Sequence, residues 1–153
     1  MATIGVISDT HETLHSSNVG NLFPEGSLLL TLGDISYGEL IILKSHYSFL
    51  GGVKGNCDTG NSLPLSTTIE IDNTRIFLSH KPPRIKISSR EEDQAAGYDI
   101  VLFGHLHRRI LLRENGLVYF SPGAFSGPRD DNGPSVGLIE IREGKFDMKF
   151  LGV

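Results

Sequence analysis

Cysteine is nearly missing from this 153-residue chain: Cys57 stands alone, so no disulfide can form within it. Residues 1–12 lack the basic start and apolar core of a secretion signal, and with the lone thiol this points to a reducing cytoplasm. Long apolar runs are missing too. Leu28–Leu30 and Leu40–Leu43 fall far below the ~20 residues a membrane span needs, so no membrane role is expected. Positive charge is not in excess. A net charge of -4 and a pI near 5.8 oppose the basic footprint of a protein that grips long nucleic acid. There is no Gly-x-x-x-x-Gly-Lys phosphate loop and no cysteine-rich zinc pattern. Gly133-Pro134-Ser135-Val136-Gly137 matches the Gly-x-Ser-x-Gly nucleophile elbow, but that elbow needs a later histidine, and His107 is the last in the chain. A serine esterase is not expected.

What is present is an ordinary apolar share, 39%, and 18 glycines, which favour tight turns over long helices. The length suits one domain over residues 1–153. Thr3–Ser8 and Ser27–Leu32 are short apolar runs that read as parallel strands buried on both faces. A short helix over His15–Phe23 is interrupted by Gly20 and Pro24. Tyr37, Leu40, Ile41, Tyr47 and Leu50 recur at helical spacing, so a helix is expected from Tyr37 to Leu50, stopped by Gly51-Gly52, with a brief strand at Gly52–Lys54. Hairpins are expected at Thr67–Ile71 with Arg75–Ser79, at Ile110–Leu112 with Leu117–Phe120 and at Val136–Ile141 with Lys145–Leu151. A buried strand is expected at Asp99–Phe103. Lys81–Gly97 reads as an exposed connection ending in a short helix. Strands before and after residue 65 would form two facing sheets with helices outside.

The chemistry-bearing residues follow these strands. Asp9-Thr10-His11, Gly33-Asp34, Gly55-Asn56, Ser79-His80 and Gly104-His105-Leu106-His107 each stand at a strand's carboxyl end, where open α/β sheets bind ligands. Carboxylate, imidazole and amide oxygen suit Mn²⁺, Fe, Zn²⁺ or Ni²⁺, and Gly33, Gly55 and Gly104 would permit the sharp turns that aim the next side chain inward. Any one of these segments is common by chance, and His15 and His46 read as surface residues. The weight lies in their ordered co-occurrence: four of the six histidines fall in these segments.

The set SDTH, GD, GNCD, SH and GHLH resembles the calcineurin-like metallophosphoesterase superfamily, and the length and Gly-Asn-Cys-Asp are similar to its short bacterial and archaeal phosphodiesterases. Residues 121–141, SPGAFSGPRDDNGPSVGLIEI, resemble the later part of the same pattern. The resemblance implies an α/β fold, two facing mixed β-sheets flanked by helices in a four-layer αββα sandwich. It implies two divalent metal ions, Mn²⁺ first, with Ni²⁺, Zn²⁺, Fe or Co²⁺ also compatible. Asp9, His11 and His107 would hold one, Asn56, His80 and His105 the other, with Asp34 bridging. It implies a phosphodiesterase in which a metal-bridging hydroxide attacks phosphorus in line, with Asp34, Asn56 and His105 central to catalysis.

Three positions depart from that pattern. Cys57 stands where many members carry a histidine that protonates the leaving group, and a thiol of ordinary pKa ~8.5 matches that task poorly. Glu12 stands for a usual glycine, and Lys81-Pro82-Pro83 replaces a second histidine. Lys81, Arg84, Lys86 and Arg90 form a basic cluster, joined by Arg108 and Arg109. Lys81 and Arg84, with Cys57 and Asp58, are the expected contacts to a small phosphodiester substrate. The rival readings are a protein-interaction scaffold on the same fold with a vestigial metal site, and a phosphomonoesterase. Homo-oligomerisation is left open.

Overall fold

Apolar alternation decides where the strands of this computed structural model face; it describes residues 1–58 and 61–153. In β1 (Ala2–Ile7), Ile4 and Val6 point into the space between two sheets, while Ile7 joins an outer apolar cluster. β2 (Leu28–Thr31) divides likewise, Leu30 inward and Leu29 outward, and pairs parallel to β1. α1 (Tyr37–His46) then leads to β3 (Ser48–Gly52), parallel to β2. The hairpin of β4 (Ser66–Ile71) and β5 (Thr74–Ser79) opens a second sheet, continued by β6 (Ile100–Leu102) and the hairpin of β7 (Arg109–Glu114) and β8 (Leu117–Pro122). β9 (Ser135–Arg142) and β10 (Lys145–Gly152) form the last hairpin.

The two sheets are mixed, with orders β10-β9-β1-β2-β3 and β4-β5-β6-β8-β7. The division at residue 65 therefore holds for β1–β8 only. The last hairpin returns to the first sheet, with β9 antiparallel to β1, because its buried Leu138, Ile139 and Ile141 need the open edge of β1 to cover them. Between the sheets lies a core that includes Ile4, Val6, Leu30, Ile76, Leu102 and Phe120, all fully buried. The outer layers are thin. On the first sheet α1 and the 13–26 segment cover Leu29 and Ile7; on the second, Ile87 from the 81–99 connection packs on Val101, Phe103 and Leu117. Among the described residues no helix is long and apolar enough to cross a membrane.

Three local expectations are overturned. α1 ends at His46, four residues early, because Tyr47 turns extended and sends its hydroxyl 2.6 Å to the Val19 carbonyl. Residues 48–52 become strand instead. Gly51 and Gly52 thus mark close packing: a Cβ at 51 would lie 2.8 Å from Ile69 Cδ1, and one at 52 would strike Thr31. Residues 15–23 form turns, since Asn18 accepts from the His15 N–H and donates to the Thr13 carbonyl, local bonds that compete with a helix. The stretch before Gly97 has only single-turn bonds, Asp93 N–H to Ser89 O and Gly97 N–H to Asp93 O, with Asp93 Oδ1 taking the Ala95 and Ala96 N–H groups.

Sheet docking depends on one absent side chain. A Cβ on Gly137 of β9 would stand 2.5 Å from the Phe120 ring, which stacks on Phe150 at 5.1 Å. Gly137→Ala should therefore lower the unfolding free energy by about 1–3 kcal/mol, measured by urea denaturation; an unchanged midpoint would mean that Phe120 has room to move.

Candidate metal centre

Each expected donor stands just beyond a strand, and the loops that carry them meet at one edge of the two sheets. Asp9 N–H donates to Gly33 O, Gly104 N–H to His80 O, and His105 N–H reaches Asp9 Oδ2 at 3.2 Å. The expected role of the glycines needs revision. Only Gly33 has a left-handed φ, +97°; Gly55 and Gly104 are required for space, since a Cβ on either would collide with Asp34 or with Ser8 and Asp9. The left-handed residues are the donors themselves: Asp9, His11, Asp34, His105 and His107 have φ between 44° and 68°. Each such residue costs about 1 kcal/mol or more, so this edge of the molecule stores strain.

Hydrogen bonds decide which ring nitrogen faces inward. His80 Nδ1 lies 2.7 Å from Leu32 O, and His107 Nδ1 lies 2.7 Å from Gly127 O. A carbonyl only accepts, so each Nδ1 carries the proton and in the neutral ring each Nε2 presents a lone pair. That Nε2 of His107 sits 3.3 Å from Asp9 Oδ1 and 3.4 Å from His11 Nε2. That of His80 sits 2.9 Å from Asn56 Oδ1, 3.4 Å from Asp34 Oδ2 and 3.3 Å from His105 Nδ1. Asp34 Oδ2 lies between the two groups, 3.8 Å from His11 Nε2 on the other side. The two histidines of His105-Leu106-His107 thus diverge, one toward His80 and one toward Asp9 and His11.

Asp9 tests whether a cation fits. Its Oδ2 accepts from Ser8 Oγ at 2.7 Å and from the His105 N–H, but Oδ1 is buried without any hydrogen-bond partner. A buried, unpaired carboxylate oxygen facing imidazole lone pairs is unfavourable unless a positive charge stands between them. Two donors 3.3 Å apart and each about 2.1 Å from one ion subtend about 100° there, an ordinary coordination angle. Asp9, His11 and His107, and separately Asp9, Asp34 and His80, form groups able to hold a metal; His11, Asp34 and Cys57 form a third. Burial, then the nearby His80 and Lys81, holds the His105 imidazole below its ordinary pKa, which favours the neutral, ligating form. The Asp34 charge, ahead of burial, pushes the Cys57 thiol up, so it stays protonated at neutral pH.

The substrate-side expectations divide. Asp58 Oδ2 accepts from Gly55 N–H at 2.7 Å and Asp34 N–H at 3.0 Å, so it orients the loop that carries Asn56. Cys57 is exposed, its N–H bonded to Asp34 Oδ1 at 2.9 Å. Both line a cleft of about 590 Å³ that opens over His11 and Asp34, with Glu12 and Tyr37 on its walls. Lys81 is exposed and near His105. Arg84 is exposed, whereas Lys86 and Arg90 are engaged with Glu92 and Asp99 at 2.7 and 3.0 Å. Arg109 lies over the Phe150 ring, with Nη2 3.5 Å from the Asn132 carbonyl. His15 and His46 are exposed, as expected of surface residues.

Sequence reasoning missed Glu39. Its buried carboxylate accepts from Thr10 Oγ1 (2.7 Å) and from the N–H groups of Glu12, Leu14 and Ser36, and so holds the loop that bears His11. The signal was there in Ser36-Tyr37-Gly38-Glu39, the capping box of α1. Asp130 does similar work for the loop carrying Gly127: it accepts from Arg109 N–H at 2.7 Å and Asn132 N–H at 3.1 Å, and these bonds hold its carboxyl below its ordinary value. A depressed pKa contributes stability that is complete above the unfolded-state value of ~3.9 and is lost as pH falls through the lower folded value. Asp130→Asn should flatten the acid limb of the stability profile below about pH 4; an unaltered limb would mean the bonds survive protonation.

The calcineurin-like phosphoesterase superfamily domain matches residues 2–144. A probable metallophosphoesterase of Methanothermobacter thermautotrophicus is 27% identical over 161 residues, covering 97% of this chain and 91% of its own. Another, of Methanocaldococcus jannaschii, is 28% identical over 159 residues, covering 98% and 81%. Among solved structures, wild-type Vps29 of Entamoeba histolytica complexed with Zn²⁺ shares the fold with a TM-score of 0.71 at 22% identity, over 97% of this chain and 98% of that one. A novel archaeal phosphodiesterase does so with 0.69 at 20%, over 97% and 99%. The matched span takes in every candidate donor and nine of the ten strands among the described residues, and the chain belongs to the calcineurin-like phosphoesterase superfamily.

Proposed function

We propose that this protein, acting as one domain, is a metal-dependent phosphodiesterase with two divalent cations. Asp9, His11 and His107 would hold one, Asn56, His80 and His105 the other, with Asp34 shared. The observation that carries this reading is the inward set of unpaired donors: bare Nε2 atoms of His80 and His107, the orphaned Asp9 Oδ1, and Asp34 Oδ2 between two clusters. Carboxylate, imidazole and amide oxygen are hard and borderline donors that suit Mn²⁺, and Ni²⁺, Zn²⁺, Fe or Co²⁺ fit the same atoms. Bound there, such cations supply Lewis acidity that activates water and stabilises charge on the phosphoryl oxygens.

The chain's own residues do the rest. Leu32 O and Gly127 O fix the rings of His80 and His107, which removes the reorganisation that would otherwise accompany binding. Asp58 and Glu39 hold the two loops that bear Asn56 and His11. Lys81 stands where it can pair with a phosphate oxygen beside His105. Diesters are favoured over monoesters because no imidazole stands at position 57 to protonate a poor leaving group, and because Glu12 and Asp58 in the cleft oppose a dianion.

Metal-stripped protein should be inert toward a chromogenic phosphodiester, regain activity with Mn²⁺, Ni²⁺ or Zn²⁺, and lose about 100-fold or more with Asp34→Ala. A protein that binds metal yet hydrolyses nothing would favour the interaction scaffold, and faster monoester cleavage would favour the phosphomonoesterase. Lys81→Ala with Arg84→Ala should raise KM about 3–10-fold with kcat little changed; unchanged kinetics would remove both from the substrate site.

A further inference from the structure

β10 ends the first sheet with one side unpaired, in unbroken register with β9 and without proline. The hairpin turns through Glu143-Gly144, both at left-handed φ, and Arg142 faces Lys145 across that two-residue loop. Such a loop makes the flanking pair a hydrogen-bonded one, so Lys145, Asp147, Lys149 and Leu151 direct their backbone groups to β9. Phe146, Met148 and Phe150 then turn theirs outward, and among the described residues no loop or turn bonds to them.

The charges of this strand are poorly answered within the chain. Asp147 stands directly opposite Glu140, and Lys145 opposite Arg142; like charges at facing positions oppose pairing. Lys149 approaches Glu140 no closer than 3.9 Å, with both side chains exposed. The inner face is incomplete as well. Phe146, Met148 and Phe150 pack on the core but are only half-buried. Arg109 of β7 lies over Phe150, and Leu111, on the same face two residues on, is 44% exposed, so the sandwich is open along this margin.

We propose that β10 pairs antiparallel with β10 of a second copy about a two-fold axis at Met148, joining two five-stranded sheets into one. Side chains alternate along a pleated strand, so a two-fold pairing keeps its faces matched only when some residue faces its own copy. Centring on Asp147 or Lys149 sets like charge against like. Centring on Met148 sets Asp147 against the partner's Lys149, and Lys149 against the partner's Asp147, on the outer face. On the inner face Phe146 meets the partner's Phe150, and the free backbone groups of the two Met148 residues meet one another. Residues 145–151 of each copy overlap, with about six new ladder bonds. Each Asp147 then has a lysine on one side to offset Glu140 on the other. Lysines on an edge strand ordinarily guard it against pairing; here the aspartate between them makes the pattern complementary to its own reverse. The inference stands apart from the phosphodiesterase reading, since it uses none of the metal donors.

Sedimentation of the full chain between about 1 and 100 μM should give twice the 16.7 kDa of one copy. Asp147→Lys answers Glu140 within the fold but faces the partner's Lys149, and should raise the dimer Kd about 10-fold or more. Adding Lys149→Asp restores complementary pairs and should bring Kd back to within about 3-fold of the original. A 16.7 kDa particle throughout that range would overturn the proposal and leave this edge to a strand of another protein. A dimer indifferent to Asp147→Lys, or one that the second substitution does not restore, would overturn it too, because association would then use a different surface. Where a variant does not fold, amide exchange on the unsubstituted chain decides. The N–H groups of Phe146, Met148 and Phe150 should exchange about 10-fold or more slowly at the concentrated end of the range than at the dilute end, and equal rates would overturn the pairing.

Discussion

Two short hydrogen bonds, from His80 Nδ1 to the Leu32 carbonyl and from His107 Nδ1 to the Gly127 carbonyl, set the chemistry of this molecule. They choose the tautomer, and the tautomer leaves Nε2 bare and aimed at carboxylate and amide oxygens that are themselves acceptors. An arrangement of acceptors facing acceptors is stable only when something positive joins them, which is how a set of loops becomes a centre for cations. The rest of the fold serves to bring those two rings together, one from β5 in the second sheet and one from the loop after β6. They meet Asp9 and Asp34, which follow β1 and β2 of the first sheet.

Holding that arrangement is costly. Five donors have left-handed backbone, a conformation a side chain other than glycine resists. Their loops are kept in place by residues that never touch the centre: Glu39 through four donors, Asp58 through two, Asp130 through two more. Each is a carboxylate accepting from backbone, and each replaces bonds that regular secondary structure would have supplied. Close packing adds to this. Gly33, Gly55 and Gly104 let neighbouring loops approach to distances that a methyl group would block.

Much of this could be read from the residues. The apolar runs of β1, β2 and β6 announced buried strands, and the hairpin turns at Asp72-Asn73, Asn115-Gly116 and Glu143-Gly144 fell where expected, with left-handed φ at Asp72, Asn73, Asn115 and Glu143. The candidate donors could be picked out because strand and ligand-type residue alternate along the chain, and the structure brings these side chains together. The end of α1 was not: Tyr47 and Leu50 keep helical spacing, and only the tertiary pull of Val19 and Phe23 on the Tyr47 hydroxyl and ring breaks it. Nor was the return of β9 to β1, since pairing across so many residues leaves no local mark. Glu39 was hidden for a different reason. Its capping role is local, but its hold on the His11 loop spans 25 to 29 residues.

The return of β9 bears on how the protein is made. The last donor, His107, has been synthesised well before Ser135 begins the strand that closes the open side of β1. A nascent chain thus carries its candidate ligands while β1 still lacks its antiparallel neighbour and Phe120 its stacking partner Phe150. Sealing must wait until the final hairpin leaves the ribosome, a long-range step of the kind that slows folding. Cation capture before then would have to occur on a half-built platform, so a finished centre would follow the closing of the first sheet.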